Sequence, residues 1–269
     1  MRRRHALQAA LVTALPELAQ AQGSALTVYA AGSLRGALTQ IGADFEATPG
    51  GAKVTFVFGA SGLLRDRLQS GERADVFTSA NMEHPRALAD AGKAQPVQAF
   101  ARNALCALAA PGFELRGKTL AQRWLDADVK LGTSTPKADP SGDYAFEMFE
   151  RVEKSGAAPS GAAERLKAKA LQLTDGPNSP PPTDRNVYDV LVSSGQADVF
   201  LTYCTNAAIA RQEVPALQVL TVPDAINVFA SYGLVVMAPA GEAARKFVAH
   251  VLGAAGQRLL AGFGFLAPA

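Results

Sequence analysis

The chain has 269 residues, enough to bury a sizeable core in one or two domains. Hydrophobic residues make up 48% and charged residues 19%, which excludes a disordered chain and fits an ordinary globular protein. The net charge of +2 and the scatter of Lys and Arg along the chain exclude a nucleic-acid stripe.

The one basic run is Arg2, Arg3 and Arg4. It precedes a short apolar segment at 9–15, Pro16, and the small-x-small pattern Ala19-Gln20-Ala21. Together these read as an export signal over residues 1–21. The alternatives are a frayed basic helix or a twin-arginine signal, which the following residues match poorly. No later segment reaches the roughly 18 uninterrupted apolar residues of a membrane span, so the mature chain is expected to be soluble.

From there the pattern alternates strand and helix, which predicts α/β architecture with mostly parallel sheets flanked by helices. Apolar runs predict strands at 26–30, 54–58, 75–79, 105–109, 130–133, 198–203, 217–222 and 234–238. Helical periodicity falls at 34–47, 62–70, 85–91, 144–155, 161–170, 186–194 and 241–260. The segment "TDGPNSPPPTDRN" at 174–186 must be an extended loop because three prolines follow one another. Cys106 and Cys204 both lie in apolar, strand-like contexts and are expected to be small buried residues. A single pair cannot be inferred from sequence.

Three early strands run into helices through small or hydroxylated residues: Ala30-Ala31-Gly32-Ser33, Gly59-Ala60-Ser61-Gly62 and Thr78-Ser79-Ala80-Asn81. In parallel α/β folds ligands bind at the carboxyl ends of strands, so these junctions should cluster on one edge. A helix N-terminus offers unpaired N–H groups and partial positive charge, a ready seat for an oxyanion. Ser33 and Ser61 add hydroxyls at matching places in two successive units. The plainer role for each is a helix N-cap, its oxygen accepting from its own helix.

Enzymatic chemistry finds no support. "GASG" at 59–62 misses the nucleophile elbow Gly-x-Ser-x-Gly by one position. His84 and His250 fall on predicted helices without a placed acidic partner, and His5 lies in the leader. Two cysteines and scattered histidines give no metal-ligand spacing, and no phosphate loop or dinucleotide fingerprint follows any strand. The second half adds three candidate positions: Pro140-Ser141-Gly142 before a helix, Arg185 at a helix start, and Tyr203 closing a strand before Thr205 and Asn206. Tyr203 alone would more commonly just pack.

At these residues the sequence resembles the periplasmic molybdate-binding proteins of ABC transporters, the ModA family. Five pieces carry the resemblance in order: "LTVYAAGSL", "FVFGASGLLRDRLQSGERADVFTSAN", "DPSGDYA", "ADVFLTYCTNA" and "GFGFLAPA". It spans 26–265. The resemblance implies a two-lobed type II periplasmic binding protein fold with the ligand in the interdomain cleft. The lobes would be 24–102 plus 234–269 and 103–233, closing about hinges near 102–105 and 231–234. It implies a non-enzymatic, monomeric periplasmic receptor that delivers molybdate or tungstate to membrane permease subunits, without a cofactor.

Carried over by motif, Ser33 and Ser61 give hydroxyl and backbone N–H groups, Ser141 and Arg185 backbone N–H groups, and Tyr203 its hydroxyl. Neutral donors at helix ends suffice to hold a dianion in a cleft that excludes water. Arg185 stands where the family usually has a small apolar residue, and the Pro180-Pro181-Pro182 insertion adjoins it. Both bear on which anion binds, so a receptor for another anion or small organic acid is the alternative. Arg35 and Arg65 are expected in solvent. A LysR-type regulator, which shares this fold, would need roughly 60 residues of helix-turn-helix before the first strand, and only about 25 are present.

Overall fold

The computed structural model describes residues 25–176, 179, 186–239 and 241–269. The leader, Arg185 and the three consecutive prolines lie outside the described residues. The strands are β1 (Leu26–Ala31), β2 (Val54–Gly59), β3 (Val76–Ser79), β4 (Gln98–Ala109), β5 (Leu131–Ser134), β6 (Leu171–Thr174), β7 (Val199–Tyr203), β8 (Gln218–Thr221) and β9 (Phe229–Val236). The helices are α1 (Arg35–Glu46), α2 (Ser61–Gln69), α3 (Glu83–Asp90), α4 (Leu120–Trp124), α5 (Pro140–Lys154), α6 (Ala162–Lys169), α7 (Val187–Ser193), α8 (Cys204–Glu213), α9 (Glu242–Leu252) and α10 (Ala254–Gly262). A single 3-10 turn, Gly32–Leu34, joins β1 to α1.

The strands run in the order β2-β1-β3-β9-β4-β7-β5-β6, with β8 added against β4. One parallel group is β2-β1-β3 and another is β7-β5-β6. Between them β9 and β4 run antiparallel. The first part of β4 pairs with β9 as far as Ala104, and from Leu105 onward it pairs with β7 and β8. One long strand thus serves both halves of the α/β fold. No helix among the described residues is long and apolar enough to cross a membrane.

Burial follows the pattern of the sequence. On α1 the apolar positions Ala37, Leu38, Ile41 and Phe45 return every three or four residues and are all buried. They face α9 and α10, and Phe45 meets Phe247 edge-on with ring centroids 5.4 Å apart. His250 on α9 places Nε2 2.9 Å from Asp44 Oδ2 on α1. It therefore has the acidic partner that the sequence did not place, on the outer face and away from any serine nucleophile.

Several elements differ from expectation, among them the unpredicted short helix α4 and β9, which starts at Phe229 and not at 234. β4 begins at Gln98 because its first half pairs with β9, although only part of it is apolar enough to read. β6 is a four-residue edge strand with Leu171 and Gln172 exposed. α8 presents only Thr205, Asn206, Ala207 and Ala210 to the interior, so small residues hid its periodicity. The last helix breaks at Gly253, whose extended backbone ends α9 and starts α10.

The cysteines also differ. Cys106 and Cys204 form a disulfide across a sequence separation of 98 residues. Leu105 pairs with Tyr203 and Cys106 with Thr202, so antiparallel β4 and β7 bring the two sulfurs onto one side. The bond pins the first residue of α8 directly after Tyr203.

Candidate functional site

The site begins with register. Ala31 of β1 pairs with Gly59 of β2, so Ser33 and Ser61 each stand two residues beyond a matched pair. The next strand, β3, ends at Ser79 beside them, with Thr78 opposite Ala30. The three junctions therefore share the carboxyl edge of one parallel group, as expected.

Neither serine caps its own helix. The 3-10 turn that carries Ser33 has no side-chain cap, and α2 is preceded by Ala60. Ser33 Oγ lies 2.9 Å from the hydroxyl of Tyr232 on β9. Ser61 is buried, and its oxygen accepts from the Ala80 N–H at 3.1 Å, which leaves its own proton to donate.

The other half of the molecule meets this edge through α5 and the loop before it. The Gly62 N–H donates to the Ala138 carbonyl at 2.9 Å. The Tyr144 hydroxyl donates to the Ala80 carbonyl at 3.3 Å. A Cβ on Gly62 would stand 2.3 Å from the Lys137 carbonyl oxygen and 2.7 Å from that of Ala138. No side chain fits at that approach, so residue 62 must be glycine for the halves to meet.

Ser141 begins α5 just after Pro140, the residue best suited to a first helical turn. Its N–H points to Asp139 Oδ1 at 3.2 Å, and its hydroxyl donates to Asp139 Oδ2 at 2.7 Å. Asp139 is thus the helix cap, and it occupies the Ser141 N–H that the family resemblance assigns to the ligand. The start of α7 is capped by Asn186, whose side chain accepts from the Tyr188 N–H at 3.0 Å. Arg185, just before it, lies outside the described residues.

Tyr203 closes β7 and is only 1% exposed. Its hydroxyl has no hydrogen-bond partner among the described residues. A buried hydroxyl left unpaired costs about 1–3 kcal/mol; Thr78 Oγ1, His84 Nε2, Trp124 Nε1 and Thr133 Oγ1 share that state among the described residues. Burial first, then the neighbouring Tyr232 and Asp139, push the Tyr203 pKa well above the ordinary range. Burial does the same for Tyr232 and Tyr144. All three therefore remain neutral O–H groups. The Tyr203 and Tyr232 rings lie 5.6 Å apart, and Asn103 reaches from β4 to Thr205 Oγ1 at 2.9 Å, fixing the first turn of α8 beside them.

Ser33 thus meets Tyr232, whose ring packs on Tyr203; Ser61 is joined through Ala80 to Tyr144; and Ser141 is held by Asp139. Sequence reasoning does not reach Tyr232, Tyr144 or Asp139. The Asp-Pro start of α5 was a visible cap signal for Asp139, but nothing local marked the others.

Among the described residues, Arg35, Arg65 and Arg123 are each already engaged. Arg35 is exposed over the Phe58 ring at 4.6 Å. Arg65 departs from expectation: it is half-buried, 2.6 Å from Asp66 and 3.3 Å from His84 Nδ1. Burial, and then the Arg65 charge, hold His84 down to about 4, so it is neutral at pH 7. A surface hollow beside Phe113 contains Arg123, but that guanidinium is taken by Asp126, Asp128 and the Glu114 carbonyl. Among the described residues no group of three His, Cys, Asp or Glu is placed to hold a metal ion.

Comparison with known proteins places the chain in a family. Residues 26–266 match the family model for bacterial extracellular solute-binding proteins. A protein of Pasteurella multocida named only as uncharacterized is 36% identical over 219 residues, covering 80% of this chain and 87% of its own. The molybdate-binding protein ModA of Mycobacterium bovis is 32% identical over 249 residues, covering 90% and 85%. The periplasmic molybdate-binding protein of Azotobacter vinelandii has the same fold, with a TM-score of 0.70 at 19% identity, covering 91% of this chain and 100% of that one. The chain belongs to the bacterial extracellular solute-binding proteins, a family of binding proteins and not of enzymes.

Proposed function

We propose that the chain is the periplasmic receptor of an ABC importer for a tetrahedral oxyanion, with molybdate the first candidate and tungstate the second. The observation that carries this reading is the Tyr203 hydroxyl, buried and unpartnered, with its ring packed on Tyr232, whose own hydroxyl meets Ser33. A dianion accepting from these neutral groups supplies the partner that Tyr203 lacks. Charge-assisted bonds in a crevice closed to water are stronger than neutral ones. Donors without full charge still allow release to the permease. The ModA relatives and the fold likeness support molybdate over other solutes. Discrimination against the smaller sulfate would come from the size of the crevice.

Binding would close the two halves by hinge motion near 102–105 and 231–234, where β4 and β9 pair. The alternative ligand, another anion or a small organic acid, is favoured by one observation: the Asp139 carboxylate already sits on the Ser141 donors.

Isothermal titration with molybdate, tungstate, sulfate and phosphate separates these ligands. Molybdate and tungstate are expected to bind well above the other two; sulfate bound as tightly as molybdate overturns the choice of ligand. Tyr203→Phe is expected to weaken molybdate binding about 10- to 100-fold, the worth of one hydrogen bond to a charged group. The same change should leave thermal stability of the free protein unchanged or raised, because the lost hydroxyl has no partner there. Unaltered affinity in that variant argues against the site.

A further inference from the structure

Ser33 has neighbours that the receptor reading leaves without a role. Its oxygen lies 2.9 Å from the hydroxyl of Tyr232, and the Tyr232 oxygen accepts from Asn103 Nδ2 at 3.5 Å. The same amide donates to Thr205 Oγ1 at 2.9 Å. Strand register brings these groups together independently of the distances. Ala101 stands opposite Tyr232 and Asn103 opposite Ala230, so Asn103 and Tyr232 are diagonal neighbours on one face of the β4–β9 pair. The chain of bonds runs from the first turn of α8, just past Tyr203, across both central strands to the turn after β1. Its two middle members are sealed from water: Tyr232 is fully buried and Asn103 is 1% exposed.

The direction of the chain follows from what each group can give. An asparagine Nδ2 only donates, so the Tyr232 oxygen is an acceptor toward Asn103. Among the described residues the partners of that hydroxyl are Asn103 and Ser33. Its own proton therefore points at Ser33 or stays unpaired in the interior, which is the costly choice. Burial drives the Tyr232 pKa far above the ordinary range, so the proton is retained. With Tyr232 donating, Ser33 Oγ accepts, and the Ser33 proton is the one left free. Ser61 reaches the same state by another route, because its oxygen accepts from the Ala80 N–H at 3.1 Å. Each serine then has a lone pair tied to the protein and a proton to give.

We propose that Tyr232 and Asn103 are positioning residues of the anion site, a relay from Asn103 through Tyr232 that holds the Ser33 hydroxyl as a donor toward the ligand. The inference rests on the anion-receptor reading above. A free serine hydroxyl turns among about three staggered positions and presents lone pairs as readily as its proton. Lone pairs aimed at a dianion repel it. Fixing the rotor in the free protein removes that ordering cost before the ligand arrives. A charged acceptor on Ser33 also polarises the bonds behind it, which extends its effect toward α8 and Tyr203.

The test is a double-mutant cycle read by calorimetry with molybdate. Tyr232→Phe should weaken binding about 3- to 10-fold, the worth of an ordered rotor and one neutral hydrogen bond. In a Ser33→Ala background the same substitution should change affinity by less than about twofold, because the group it acts through is gone. An equal loss in both backgrounds means that Tyr232 touches the anion or only supports the fold, and it overturns the inference. So does unaltered affinity in Tyr232→Phe. Neutron diffraction from a deuterated crystal of the free protein reads the direction of the relay without ligand or variant. It should show the Tyr232 deuterium pointing to Ser33 Oγ and an Asn103 amide deuterium pointing to the Tyr232 oxygen. A Ser33 deuterium in that bond, or the Asn103 oxygen turned to Tyr232, overturns the relay and leaves the receptor reading standing. If the variants do not fold, the neutron result decides alone. Failure of the parent to bind molybdate, tungstate, sulfate or phosphate removes the receptor reading, and the inference with it.

Discussion

Replacing Cys106 and Cys204 together by serine is expected to lower unfolding free energy by about 3–4 kcal/mol and Tm by roughly 10 °C. The bridge closes a loop spanning 98 residues, and most of its effect is to restrict the unfolded chain. A loop of about 100 residues would give about 4.7 kcal/mol on chain entropy alone, which the native state seldom delivers in full. The two serines also sit where partly buried sulfur packed against β4 and β7. Denaturant unfolding of the double variant beside the oxidised parent measures the difference, and coincident midpoints contradict the bridge. Oxyanion affinity should fall as well, because the bridge fixes the residue next to Tyr203.

Gly62→Ala is expected to do the reverse, sparing stability while cutting anion affinity on the order of 100-fold. The added methyl would stand 2.3 Å and 2.7 Å from two backbone carbonyl oxygens of residues 137 and 138. Backbone cannot swing aside as a long side chain does, and overpacking of this kind costs typically 1–3 kcal/mol. The contact joins the two halves, so the free protein escapes it by opening, whereas the anion needs them closed. Within α2 itself alanine is the better helix former by about 1 kcal/mol. Titration with molybdate beside a thermal melt separates the outcomes. Unchanged affinity, or a fold weakened as much as binding, contradicts a site formed by closure on Gly62.

How much was legible follows from the range of each interaction. Ser33 and Ser61 could be read because strand, glycine, serine and helix follow within a few residues, and β1 and β2 are neighbours in sequence. Ser141 and its helix start were readable for the same reason, but the carboxylate on its donors was not weighed, though Asp139 stands two residues away. Tyr232 reaches Ser33 across 199 residues and Asn103 reaches Thr205 across 102, distances over which no local pattern survives. The disulfide likewise depends on β4 and β7 lying antiparallel, which periodicity cannot state. β6 and α8 escaped because one is a short exposed edge and the other buries only small or polar side chains.

The most direct measurement of the central claim is anomalous diffraction from crystals grown with molybdate. The account predicts one molybdenum peak in the crevice, with its oxygens about 2.6–3.0 Å from the hydroxyls of Ser33, Ser61 and Tyr203. A peak lodged elsewhere, or a crevice in which the Tyr203 hydroxyl still has no partner while calorimetry shows molybdate bound, would contradict it.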